Sequence, residues 1–175
     1  MKRYPIRRPV ISPEPEPGII RLGFCDLKLG PCSIIHNRQF GTSKDCPQCT
    51  EFHRVVDLWT RRFNLSRDDE VSVRDPQANW RNAREEEIVQ QWHHDCGDSG
   101  TRWIFLWSSC HPTEVRYKTT NKPIAIGVNE LVIISNKQYQ HRCRRLTSYQ
   151  NEPRWMVVIR MSELPPKLEK LLKET

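Results

Sequence analysis

The amino-acid sequence predicts an α+β fold: short helices packed on a four- to five-stranded, mainly antiparallel sheet, stapled by zinc and led in by a disordered proline-rich arm. Three observations point there. Apolar residues follow a helical period in the first half of the chain and a strand-like one after Arg102. Prolines crowd the first 18 residues, and cysteines and histidines come in groups. A length of 175 residues suits one domain, taken here as 19–175, with 1–18 as the arm.

Taken in order, Pro5, Pro9, Pro13, Pro15 and Pro17 block helix and sheet alike, so the arm is read as extended. Lys2, Arg3, Arg7 and Arg8 make its first half basic. Ile19, Ile20, Leu22, Phe24, Leu27 and Leu29 then alternate loosely as short strands, with a turn at LGPC. Phe52, Val55, Val56, Trp59 and Phe63 recur at i, i+3, i+4, i+7 and i+11, one face of a helix. Thr50 is a candidate cap for it, and Arg61 and Arg62 suit its C-terminal end. Asp75 and Pro76 open a second helix expected to reach Trp92, with Trp80, Ile88 and Trp92 on one face.

Beyond GDSG at 97–100, the runs RWIFLWSS, EVRYKTT, KPIAIGV, ELVIIS and RWMVVIRM are rich in branched and aromatic residues between turn signals. They predict four or five antiparallel strands. In the first of them Trp103, Phe105 and Trp107 share one face, read as core. PPKLEKLLKET closes as a short amphipathic helix starting at Pro165 or Pro166.

Lysine and arginine total 28 against 21 acidic residues, a net charge of +7, which favours acidic partners and nucleic acid first. No run of about 18 apolar residues predicts a membrane span. The N-terminal stretch lacks an apolar h-region, so the chain is expected inside a cell, in nucleus or cytoplasm, and not secreted. Seven cysteines, an odd number in a reducing compartment, argue for metal or core roles over a disulfide framework.

The first Cys/His group holds CSIIH (Cys32, His36) and CPQCTEFH (Cys46, Cys49, His53). Zinc takes four tetrahedral N or S ligands, and a C-x2-C turn lets two thiolates grip one ion. His53 lies four residues past Cys49, so a helix puts both on one side. No second C-x2-C completes the pattern, leaving Cys25, Cys32, His36 or the later group to supply the rest. That later group is WHHDC (His93, His94, Cys96) with SSCH (Cys110, His111). An ion there would tie a helix end to a strand end through His93, Cys96 and Cys110 or His111. The blander alternative is a core cysteine and a wet helix end. His141 and Cys143, two apart on a strand, face one ion or one cleft together.

Lys137, Arg142, Arg144 and Arg145 lie beside Tyr139 and Tyr149, and charge with aromatic faces is what single-stranded nucleic acid uses. The sequence is therefore read as a small zinc-binding regulatory or accessory protein, viral in compositional character, that binds RNA or single-stranded DNA. The alternative is an adaptor presenting helix or tryptophan surfaces to a protein partner. A metal- or cysteine-dependent hydrolase ranks third, resting on Cys46 at a helix start or on His93, His94 and Asp95 holding an ion. The deaminase signature is excluded: His36 has no glutamate two residues on, and Asp45 rather than proline precedes Cys46. No phosphate loop, dinucleotide fingerprint or H-E-x-x-H helix occurs.

Overall fold

A computed structural model describes residues 6–8, 16–30, 45–65, 72–73, 91–95, 100–144 and 154–174. They form β1 (Ile19–Phe24), α1 (Pro47–Phe63), β2 (Ser72–Val73), β3 (Trp103–Ser108), β4 (Thr113–Tyr117), β5 (Pro123–Ile126), β6 (Glu130–Ser135), β7 (Tyr139–Cys143), β8 (Met156–Met161) and α2 (Pro166–Glu174). The α+β class holds, with two antiparallel sheets where one was expected. Five strands run β1-β6-β3-β8-β2, and three run β5-β4-β7. The chain leaves the first sheet after β3 through a tight turn in which His111 takes φ 58, and β4 begins the second sheet.

Strand periodicity builds the layers. β3 sits mid-sheet, with Phe105 opposite Ile133 of β6 and Ile159 of β8. Alternate residues of these strands enter two separate cores. Phe105, Trp107, Leu131, Ile133, Val157, Ile159 and Met161 pack with Phe52, Val55, Val56 and Trp59 of α1 and Leu168 of α2. Ile104, Leu106, Val132, Ile134 and Val158 pack instead with Val115, Ile126 and Tyr139 of the second sheet. The molecule is thus helices, five-stranded sheet, three-stranded sheet, in that order.

The predicted face of α1 is the buried one, and its aromatics interlock with the sheet: Phe52 lies 5.0 Å from Trp155 and Trp59 5.2 Å from Trp107, centroid to centroid. The helix starts earlier than Thr50. Cys46 is the extended N-cap and Pro47 follows it, so the Thr50 amide already donates to Cys46 O at 2.9 Å. The core reading of the tryptophan strand is also what the structure shows, with Trp107 1% exposed.

Two expectations need correcting. Part of the arm is paired: Arg7 and Phe24 exchange backbone hydrogen bonds of 2.8 and 3.0 Å. Gly23 permits this approach at φ 130, where a Cβ would meet Arg7 O at 2.1 Å. The second helix was expected to reach Trp92, but residues 91 and 92 are not helical, and His93 bridges β7. Its first part, 76–90, lies outside the described residues. Among the described residues, no helix is long and apolar enough to cross a membrane.

Candidate metal centre

Residues 91–95, QWHHD, run along the edge of β7 away from β4. His93 N donates to His141 O at 3.1 Å, and His141 N donates to His93 O at 2.9 Å. Residues paired this way carry their side chains on the same face, side by side. The two imidazole centroids are accordingly 4.3 Å apart. Period-2 alternation brings Asp95 onto that face two residues after His93. It is the face of β7 that also carries Tyr139 into the core between the sheets.

The ligand-type atoms of His93, Asp95 and His141 all lie within 4.8 Å of one another. Asp95 Oδ1 is 3.6 Å from His141 Nε2 and 4.0 Å from His93 Nε2, while Oδ2 turns to Arg160 Nε at 3.5 Å. One carboxylate oxygen therefore meets the imidazoles and the other meets the guanidinium. Arg160 reaches in from β8, on the face that carries Val158. Burial alone would raise the Asp95 carboxyl, but the hydrogen bond and charge of His141, with Arg160 and His93 behind them, hold it down to about 2.

These residues fit a divalent cation. His93 Nδ1 lies 2.9 Å from Gln91 O, so an N–H there donates to the carbonyl and leaves Nε2 its lone pair. His141 is 7% exposed, and its buried Nδ1 has no hydrogen-bond partner among the described residues. Ligand atoms all within 4.8 Å of one another are close enough to share one ion, since imidazole and carboxylate bonds of ~2.0–2.2 Å to a common centre set such atoms up to about 4.4 Å apart. Asn136 fixes the end of the segment: its Nδ2 donates to Asp95 O at 3.4 Å and to Thr101 O at 3.3 Å. His94 lies outside the triad, with Nδ1 3.0 Å from Asn136 O. Burial, and then Lys118, keep its pKa below the ordinary imidazole value.

Of the residues read from the sequence as holding an ion, His93 and Asp95 of HHD and His141 of the strand pair join this group, without His94 or a cysteine. Cys46 and Cys49 are fully buried at the start of α1 within the helix-side core, where Cys46 Sγ lies 3.3 Å from Gln48 Oε1. His53 is exposed. Cys110 and His111 are buried in the turn after β3. Cys32, His36 and Cys96 lie outside the described residues. Asp95 and His141 complete the one cation-sized group of three among the described residues.

The basic stretch looks different in three dimensions. Arg142 and Arg144 both pair with Glu114, at 2.7 and 3.1 Å. Tyr139, expected as a stacking face, is 2% exposed and donates its hydroxyl hydrogen to Pro17 O at 2.7 Å. Lys137, Arg7 and Arg8 are exposed, and Lys2, Arg3 and Arg145 lie outside the described residues.

No protein-family model and no curated protein matches the chain. Among solved structures, it is similar to the crystal structure of an oxidoreductase of the 2OG-Fe(II) oxygenase family from Burkholderia pseudomallei. Identity is 8% and the TM-score 0.40, over 72% of this chain and 62% of that one, so the chain spans under two thirds of its length. A likeness of that strength carries no argument about mechanism, which rests on the side chains themselves. The expectation of a nucleic-acid-binding regulatory or accessory protein is corrected on the side chains: Arg142 and Arg144 share an ion pair with Glu114, and the tyrosine expected to stack on bases is core. Of the tryptophans, Trp59, Trp107 and Trp155 are buried and present no surface to a partner. Cys46, at 0% exposure, is closed to a hydrolase substrate.

Proposed function

We propose that this chain is a mononuclear non-haem iron(II) oxygenase whose ion is held by His93, Asp95 and His141. The observation that carries the reading is the convergence of two imidazoles and one carboxylate on a single point at the inner face of β7. Two histidines and one carboxylate on one side of an ion leave the other positions open, the arrangement used by non-haem iron(II) oxygenases. The His93 tautomer set by Gln91 O and the ionised Asp95 both suit binding of a dication at neutral pH. Arg160 holds Asp95 Oδ2 and leaves Oδ1 toward the ion.

A second cation supports a carboxylate co-substrate. Arg154 is 7% exposed, six residues before Arg160 and so on the same face of the β8 run, and its Nε donates to Ser108 Oγ at 3.1 Å. Among the described residues, no carboxylate lies within ion-pair distance of it. A buried guanidinium favours an anion beside it. A dicarboxylic 2-oxo acid such as 2-oxoglutarate has the charge to fill that place. Iron(II) held by His93, Asp95 and His141 would supply oxidation by dioxygen, one oxygen atom going to the oxidative decarboxylation of the 2-oxo acid and the other to a substrate C–H bond. The chain's own contribution is to hold the ion on one face and anchor the acid through Arg154.

Anaerobic iron(II) titration of purified protein, followed by metal analysis and oxygen uptake with 2-oxoglutarate, tests this. One iron per chain is expected, lost in His93→Ala, Asp95→Ala and His141→Ala proteins that keep their far-UV circular dichroism. Undiminished iron in all three rules the reading out. Zinc, measured in the same samples, belongs to Cys46 and Cys49 if it survives these changes and disappears in Cys46→Ser.

A further inference from the structure

Two of the three proposed ligands sit on a five-residue segment whose described backbone bonds to β7 are the single pair between His93 and His141. One pair of hydrogen bonds at a sheet edge is a weak tether, each worth on the order of 1 kcal/mol. Another grip is visible on the opposite face. Alternation turns Trp92 away from the inner face that takes His93 and Asp95, onto the outer face of the three-stranded sheet. There the guanidinium carbon of Arg142 lies 4.2 Å from the centroid of the Trp92 ring, and that of Arg116 lies 4.6 Å from it. Both arginines are themselves fixed. Arg142 is bound to Glu114 Oε2 at 2.7 Å, and Arg116 donates twice to Gln140 Oε1, at 2.9 and 2.8 Å. Glu114 and Arg116 come from β4, Gln140 and Arg142 from β7, so the ring is held across two strands.

We infer that Trp92 is a positioning residue for the metal centre: clasped by Arg116 and Arg142, it fixes the 91–95 segment in the register that brings His93 and Asp95 to His141. This rests on the iron-site reading above, but the mechanical part does not need a metal. A cation over an indole face is attractive, and more so when partly shielded from water. Without that clasp, the His93–His141 pair and the Asn136 contacts to His94 and Asp95 are left to hold the segment, and a one-residue slip would send His93 and Asp95 to the outer face. The stack also gives Arg142 an occupation that its place in the basic stretch did not suggest.

The test uses the full chain and manganese(II) alone, whose free-ion electron paramagnetic resonance signal reports binding. Trp92→Ala is expected to weaken manganese(II) binding about 10- to 100-fold, in the range lost when groups supporting metal ligands are removed. It should also speed hydrogen exchange at the His93 and His141 amides while leaving β3 and β8 protected. Trp92→Phe, which keeps a ring for the cations, should restore most of the affinity and protection. Arg116→Gln leaves the tryptophan in place and should show the same pattern more mildly; it decides the matter alone should Trp92→Ala not fold. Wild-type affinity and unchanged amide exchange in both variants would overturn the inference. If wild-type protein binds no manganese(II), the iron-site reading fails, and the exchange rates by themselves then confirm or overturn the role of Trp92.

Discussion

Replacing Asp95 by Asn keeps the shape of the side chain and removes its charge. In the native protein burial works to raise that carboxyl, yet His141, Arg160 and His93 together hold it down to about 2 from an ordinary 3.8. A carboxyl whose folded pKa lies below its unfolded one adds stability that is complete above the unfolded value and disappears as the pH falls through the folded one. The drop from 3.8 to about 2 corresponds to about 2 kcal/mol. Urea unfolding of the metal-free protein at a series of pH values reads this directly. Between pH 5 and pH 2 the wild-type protein should lose about 2 kcal/mol more than Asp95→Asn, and at pH 5 the variant should already be the weaker by that amount. Parallel curves for the two proteins across that interval would show that the carboxylate gains nothing from its neighbours, and the electrostatic account of the site would fall with them.

Two further changes probe the scaffold. Phe52→Ala empties a fully buried site between Trp107 and Trp155 and should cost about 3–5 kcal/mol in urea unfolding, with Phe52→Leu well under half of that. Gly23→Ala sets a methyl against Arg7 O at a φ of 130, so a loss of roughly 1–3 kcal/mol is expected, with faster exchange at the Phe24 amide as residues 6–8 come away.

Much of the scaffold was legible because it follows period. ELVIIS, WIFLWS and the Phe52–Phe63 stripe each obey one repeat over a full element, and each appears as β6, β3 and α1. The division into two sheets was not legible, because nothing local distinguishes a turn within one sheet from the turn at His111 that carries the chain to another. All three ligands are readable in the sequence, but what joins them is not, for a sharper reason. Continuing a helix through Trp92 places His93 and Asp95 on different sides, about 200° apart, whereas an extended segment places them together. His-x-Asp is a ligand pair only in the second case. Strand alternation turns His141 toward an ion too, but its nearest companion in sequence is Cys143, and nothing local links it to residues 93 and 95. The signal that would have served is a histidine and a carboxylate two apart, plus a later histidine also on a strand.

The two faces of the small sheet explain why charge alone misled. On β4 and β7, Glu114, Arg116, Gln140 and Arg142 form the outer row, and Val115, Tyr139 and His141 the inner one. The outer row closes on itself through ion pairs and through the ring of Trp92, so its cations are already engaged. The inner row is buried around His141, which raises the interaction between that imidazole and Asp95 by excluding water. A single residue of alternation therefore separates a basic surface from a metal-ligand set within one five-residue strand. Reversing the sign of Arg142 should consequently act on the site through Trp92 and Glu114, from the far side of the sheet, although its side chain never enters the space where the proposed ion would sit.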